Sequence, residues 1–338
     1  MQLVNKGRYE YMNGKRDDRS YRLKYFDQIE AKEVFWLWYP YFPAGKITIV
    51  QGDPGEGKTT MMLQLAALLT RGKPMPDGSE RTKACNVIFQ GAEDGVSDTV
   101  KPRLIEAGAD CSKIAFIDSE EGRPLSLGDS RFERAIQETG ARLLIIDPLQ
   151  AFLSADPEFQ KKGSFRNVIG RLGRAAESTG CAVVLIGHMN KNGSGKSIYR
   201  GLGSIDAAAA ARSVLLVGRD ADDPYRRIML PIKSSLAPEG SAFAFELDPQ
   251  TGFRWIGPCS YTAEELLGNV PHTETKLQKA KDRLQEILYD CDLPGKEVYE
   301  KMNSLDIGKR TIDSAKRELG VSVYRKDDMW FWHLDSQE

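Results

Sequence analysis

Lys46 to Thr70 reads K-I-T-I-V-Q-G-D-P-G-E-G-K-T-T-M-M-L-Q-L-A-A-L-L-T. The β-branched run Ile47 to Val50 predicts a buried strand, and the apolar segment from Met61 predicts a helix. Between them Gly52, Asp53, Pro54, Gly55, Glu56, Gly57, Lys58 and Thr59 fit the pattern G-x-x-x-x-G-K-[ST], with Thr60 next. Strand, glycine-rich loop and helix in that order are the setting of a phosphate-binding loop. The glycines let backbone N–H groups turn inward around phosphate oxygens, and the helix start adds its positive dipole end. Lys58 is expected to reach the β- and γ-phosphates and the Thr59 hydroxyl to hold Mg²⁺. The stretch therefore predicts a nucleoside triphosphate site.

At 338 residues the chain has room for one full α/β domain and small additions. Its net charge of −1 excludes global basicity, so nucleic-acid contact must be local. Cys85, Cys111, Cys181, Cys259 and Cys291 are dispersed with no C-x-x-C pair, which predicts neither a zinc site nor a disulfide framework. No run approaches a membrane span and the N-terminus lacks an apolar signal core, so a cytoplasmic location is expected.

Working outward, residues 1 to about 30 are polar and read as an arm, and the aromatic run V-F-W-L-W-Y-P-Y-F-P from Val34 to Pro43 follows. Its rings could stack on a base, dock on a neighbouring subunit, or pack on the domain's own edge. After the phosphate loop, short apolar runs alternate with helical patterns. Strands are expected at Val87–Gln90, Ile114–Ile117, Leu143–Ile146 and Ala182–Ile186, with helices near 98–107, 131–139 and 165–178. That alternation predicts an α/β fold with a mainly parallel sheet covered on both faces. Beyond Val214, four strands without intervening helices predict an antiparallel extension. The division expected is an arm and aromatic segment over 1–40, a core over 41–268 and a separate module over 274–338. In the last, Leu277, Ala280, Leu284, Ile287 and Leu288 share one helical face, and two further helices and a hairpin follow, the layout of a winged helix-turn-helix. Lys309, Arg310, Lys316 and Arg317 sit at non-core positions of its third helix, where DNA contacts would fall. The segment from 271 nevertheless carries 12 Lys/Arg against 14 Asp/Glu, which suits a protein-docking or purely structural domain as well.

Several residues outside the loop carry chemistry. R-L-L-I-I-D, Arg142 to Asp147, is an apolar strand ending in a carboxylate, the place for a Mg²⁺-binding aspartate beside Thr59. Hydrolysis needs a group to orient or deprotonate water. Glu93, just past the strand Val87–Gln90, is the candidate, with Asp94 as rival. His188 follows the strand Ala182–Gly187 and would face the same sheet edge, in reach of a γ-phosphate. The glycine-rich loop after it carries Lys191, Lys196 and Arg200 with no acid, a composition suited to single-stranded nucleic acid. Arg212 and Lys233 are cations at strand boundaries, readable as arginine-finger-type groups for a neighbouring subunit or as internal ion-pair partners.

Taken together the motifs resemble the hexameric replicative helicases with a RecA-type core (the DnaB type), in particular the RepA-like ATPases of plasmids and prophages. The resemblance covers roughly residues 32–268. It rests on W-L-W-Y-P-Y-F-P-A-G-K at 36–46, the phosphate loop, G-A-E-D-G at 91–95, I-I-D-P-L at 145–149 and I-G-H at 186–188. G-S-I-D-A-A-A-A-A-R-S-V-L-L-V at 203–217 and K-S-S-L-A-P at 233–238 complete it. It implies a RecA-like P-loop NTPase core, ATP and Mg²⁺ as cofactors, Glu93 as general base and His188 as γ-phosphate sensor. It further implies Arg212 and Lys233 acting on the neighbour's nucleotide, and Lys191, Lys196 and Arg200 facing a central channel. The expectation that follows is an ATP-hydrolysing hexameric ring motor on single-stranded DNA, a replicative helicase of a mobile element with primase or other replication proteins as partners. A repair or recombination ATPase that coats DNA without unwinding it, and a nucleotide-gated DNA-binding regulator, are the alternatives. RepA-like helicases carry no appended winged helix, so residues 274–338 suggest a targeting or loading role.

Overall fold

The computed structural model describes residues 24–80, 83–118, 124–156, 165–189, 209–267, 276–289, 291–305 and 307–334. The chain divides into two units, Met1–Val34 and Phe35–Glu338. In the first, the described residues form one 3-10 turn, Phe26–Gln28, with Tyr25, Phe26 and Ile29 exposed.

The second unit begins with a short aromatic strand pair, β1 (Trp36–Trp38) and β2 (Phe42–Pro43), followed by β3 (Ile47–Gly52) and α1 (Lys58–Arg71). Then come β4 (Val87–Gly91), α2 (Lys101–Glu106), β5 (Ile114–Ala115), α3 (Ser130–Thr139) and β6 (Leu143–Asp147). Next are α4 (Leu149–Ser154), α5 (Phe165–Thr179) and β7 (Ala182–His188). Finally β8 (Ser213–Arg219), β9 (Arg226–Ser234), β10 (Ala242–Asp248), β11 (Gly252–Cys259) and a short helix α6 (Ala263–Leu266) complete the core.

These strands form a nine-stranded sheet in the order β11-β10-β9-β8-β3-β7-β6-β4-β5. Strands β3 to β8 are parallel, and β9, β10 and β11 extend the sheet antiparallel from β8. The α/β class and the mainly parallel sheet are as the alternating pattern predicts. Side chains of a strand alternate between faces, so a fully buried strand feeds two cores. In β3, Ile47 and Ile49 join the cluster with Phe132, Leu172 and Phe152, while Val50 joins α1 residues Met62 and Leu65 on the other face. Helices α3, α4 and α5 cover the first face, and α1 and α2 the second.

The aromatic segment is part of this core. Trp38 is 1% exposed and packs edge-on against Phe243 and Trp255, and Tyr41 and Phe42 are buried beside it. Of the three roles open for these rings, packing on the domain's own edge accounts for Trp38, Tyr41 and Phe42, whereas Phe35 and Tyr39 stay exposed. The expected strand Ile114–Ile117 is shorter, pairing with β4 through Ile114 and Ala115.

The C-terminal residues form α7 (Lys276–Leu288), β12 (Leu293–Pro294), α8 (Gly295–Ser304), α9 (Lys309–Glu318), β13 (Ser322–Lys326) and β14 (Met329–His333). The three strands pair as β12-β14-β13. A separate small core holds Ala280, Leu284, Leu288, Val298, Met302, Ile312, Ala315 and Trp332. Gly257 in β11 adopts a φ of 137°, which L side chains rarely take, and the Tyr289 ring beyond α7 lies at ordinary contact distance from it. Among the described residues, no helix is long and apolar enough to cross a membrane.

Candidate nucleotide site

The carboxyl ends of β3, β4, β6 and β7 converge on one edge of the sheet. At the end of β3 the chain must turn hard against β8. A Cβ on Gly52 would lie 2.1 Å from the Val217 carbonyl oxygen, so this position takes only glycine. Gly57, at φ 82°, caps α1 in the left-handed region. Lys58 is 4% exposed, and its ammonium donates to the carbonyls of Gly52 at 2.9 Å and Asp53 at 2.7 Å. Burial lowers its pKa, opposed by the negative field of Asp147 and Glu56. The cation is thus held in the mouth of the loop by carbonyls that a phosphate can replace. Thr60 lies beside it in the first turn of α1.

Two strands away, β6 ends in Asp147. The Thr59 hydroxyl donates to its Oδ2 at 2.6 Å, joining the two residues expected to share a metal. Burial holds the Asp147 carboxyl above the usual aspartate range, against the Thr59 hydrogen bond and the Lys58 charge. An ionisable carboxylate kept out of water beside a hydroxyl and an ammonium is a donor set that fits Mg²⁺ with a triphosphate.

Adjacent strand ends supply the remaining groups. Gly91 of β4 pairs with Asp147, and Ala92 N–H donates to the Asp147 carbonyl, so Glu93 leaves the sheet beside the end of β6. Its carboxylate stays exposed and lies 3.9 Å from His188 Nε2. Asp94 instead pairs with Arg103 at 3.0 Å, which leaves Glu93 as the carboxylate facing the site. His188 pairs in register with Gly52 across β7 and β3, which sets it beside the start of the phosphate loop. Its Nδ1 is buried without a hydrogen-bond partner among the described residues, and its carbonyl accepts from Gln150 at 3.3 Å.

Arg212 and Lys233 lie elsewhere. Arg212 precedes β8, and its N–H donates to the Ile47 carbonyl at the start of β3. Lys233 pairs with Val214, and its ammonium donates to the Ala211 carbonyl at 2.8 Å. Burial, then the Arg212 charge, lowers the Lys233 pKa. Both cations therefore stand at the amino ends of the parallel strands, one strand length, about 20 Å, from the phosphate loop of their own subunit.

The channel-loop candidates Lys191, Lys196 and Arg200 lie outside the described residues. On α9, Arg310 and Arg317 are exposed, but Lys316 rests 4.0 Å over the Trp332 ring and Lys309 5.7 Å from the Tyr299 ring. Those two cations are engaged with aromatic faces of their own module.

One ion-pair cluster escaped the sequence reading, which named Glu56 only as part of the phosphate loop. The Glu56 carboxylate, inside the phosphate loop, faces Arg227 Nε at 3.2 Å and Arg219 Nε at 3.6 Å. Sequence offered no signal for it, because only the antiparallel register of β8 and β9 sets Arg219 opposite Arg227.

A phosphate loop between strand and helix, a strand-end aspartate beside its threonine, and a glutamate and histidine on neighbouring strand ends define a P-loop NTPase with a RecA-like core. More particularly, the chain belongs to the AAA domain family (AAA_25), which matches residues 21–194, more than half of it. It is 31% identical over 152 residues to the DNA repair protein RadA of Halalkalibacterium halodurans, a match covering 44% of this chain and 29% of that one. RadA of Bacillus subtilis is 26% identical over 153 residues, again 44% of this chain and 29% of the relative. The chain thus spans less than a third of the length of these curated relatives. Among solved structures, a KaiC-like protein of Pyrococcus horikoshii superposes on 63% of this chain and 91% of its own, at 19% identity and a TM-score of 0.46.

Proposed function

We propose that this protein is an ATPase that works as an oligomeric ring on single-stranded DNA. The observation that carries this reading is the split of its charged groups between two sheet edges. The phosphate loop, Asp147, Glu93 and His188 lie at one edge, and Arg212 with Lys233 at the other. Neither cation can reach its own phosphate loop across about 20 Å of strand, so each is disposed to serve a neighbour. An active site shared between subunits follows.

In this reading Lys58 and the loop N–H groups bind the phosphates, and Thr59 and Asp147 hold Mg²⁺. Bound ATP supplies the phosphoanhydride whose cleavage drives the cycle. Glu93 orients a water and takes its proton. His188, 3.9 Å from Glu93 and in register with Gly52, passes the state of the γ-phosphate position to the loop that follows it. Lys191, Lys196 and Arg200 of that loop, with Arg310 and Arg317 of α9, are the proposed DNA contacts.

The finer reading is a hexameric replicative helicase of a mobile element, supported by the ensemble of motifs at 36–46, 186–188, 203–217 and 233–238. A second reading, a repair or recombination ATPase that coats DNA, is favoured by the likeness to two RadA proteins whose names assign them to DNA repair. A 5′-tailed fork with ATP–Mg²⁺ separates the two. ATP-dependent strand displacement supports the helicase, and stable coating without displacement supports the repair ATPase. An ATPase rate that single-stranded DNA leaves unchanged would sink both.

A further inference from the structure

Glu56 places a negative charge inside a loop whose purpose, in the function proposed above, is to hold three phosphates. Its carboxylate is 15% exposed, and its Oε2 has no hydrogen bond among the described residues. With that oxygen withdrawn from water, the charge would act at close range on any phosphate in the loop. Two guanidiniums face it. Arg227 is 7% exposed, and its Nη1 donates to the carbonyls of Pro224 at 2.7 Å and Arg226 at 3.0 Å, which fixes its head against the loop. Arg219, across the β8–β9 pair, is 49% exposed. Together the three groups sum to one positive charge where Glu56 alone would give one negative.

We propose that Arg219 and Arg227 are positioning residues for nucleotide binding, acting in the same subunit as the loop by neutralising and orienting Glu56. They differ in this from Arg212 and Lys233, which sit at the opposite sheet edge. The inference rests on the reading of the loop as an ATP site. The Glu56 charge also reaches Lys58, where, after Asp147, it opposes the lowering of the ammonium's pKa by burial.

The test is a mutant cycle read by equilibrium binding of a fluorescent methylanthraniloyl-ATP with Mg²⁺ to the full chain. Arg219 is half exposed, so Arg219→Ala should fold, as circular dichroism can verify. Arg219→Ala is expected to weaken binding about tenfold at low salt, with turnover per bound nucleotide within about twofold of the wild type. In the double variant Arg219→Ala/Glu56→Gln, affinity should return to within about twofold of the wild type, because no charge is left to compensate. Glu56→Gln alone, which leaves two guanidiniums unopposed, should tighten binding. A double variant as weak as Arg219→Ala would make Arg219 a direct phosphate ligand and overturn the proposal. So would an Arg219→Ala protein that binds normally, or a Glu56→Gln protein that binds no more tightly. A wild-type chain that binds no nucleotide would instead overturn the ATP reading itself, before any variant is compared.

Discussion

In the proposed function Asp147 and Thr59 hold Mg²⁺, and the burial of Asp147 sets a pH dependence. Burial raises the Asp147 pKa in the nucleotide-free protein, whereas Mg²⁺ binding requires the carboxylate. The sign follows directly: affinity for ATP–Mg²⁺ is complete above the raised pKa and falls as pH drops through it, by up to about tenfold per unit. Titrating Mg²⁺-dependent ATP binding between pH 8 and about pH 4 should therefore show weakening that begins above the ordinary aspartate range. Asp147→Asn should remove both the Mg²⁺ dependence and this pH response. Glu93, exposed and 3.9 Å from His188, is assigned to water rather than to binding. Glu93→Gln should keep ATP affinity within about twofold while lowering turnover by about 10²–10⁴. At this scale the sequence was informative wherever a residue's place follows from its own strand. Lys58, Thr59, Asp147, Glu93 and His188 all meet at one edge because each directly ends or follows a parallel strand. Glu56 was legible only as part of the motif. Its partners lie more than 160 positions further on, and nothing local to Arg219 or Arg227 announces that they pair across an antiparallel ladder and lean toward the loop.

Among elements, the aromatic strand pair shows how composition can be read in two ways. A run rich in Trp, Tyr and Phe looks like a contact surface, yet Trp38 is 1% exposed and four further aromatic rings lie within 6.1 Å of its centroid. The ring packs on β10 and β11 through Phe243 and Trp255, partners more than 200 positions away that no pattern internal to residues 36–43 reveals. Trp38→Ala should cost about 3–5 kcal/mol, measured by urea unfolding, because it empties a fully packed site. Phe35→Ala, at 71% exposure, should change stability by less than about 0.5 kcal/mol. The long strands β6 and β7 were foreseeable because each is a continuous apolar run between helices. By contrast, β5 reduces to two paired residues, since Phe116 and Ile117 satisfy the apolar pattern without a ladder partner. In the C-terminal module the helical face Leu277, Ala280, Leu284 and Leu288 packs as its period requires. The basic positions of α9 were harder to interpret, because Lys316 spends its charge over Trp332.

In the proposed ring, the two ends of the parallel strands meet where one subunit gives way to the next. The parallel sheet has polarity, and its two edges carry different chemistry: the phosphate loop at the carboxyl ends, Arg212 and Lys233 at the amino ends. Head-to-tail association would bring unlike edges together and, with the right rotation, close into a ring. Light scattering should then show a rise in mass on adding ATP–Mg²⁺ and a short single strand. A sharper test mixes two inactive proteins. Lys58→Ala subunits cannot bind the triphosphate but keep Arg212, whereas Arg212→Ala subunits keep the phosphate loop but lack the cation. In a random equimolar mixture, about one interface in four joins an intact loop to an intact Arg212, so ATPase activity should recover to roughly a quarter of the wild-type rate per subunit. If Arg212 served its own loop, no interface in the mixture would hold both groups and activity would stay at the level of the separate variants. The shared site would also make recovery depend on concentration, because diluting the mixture below the dissociation constant of the assembly separates the two halves again.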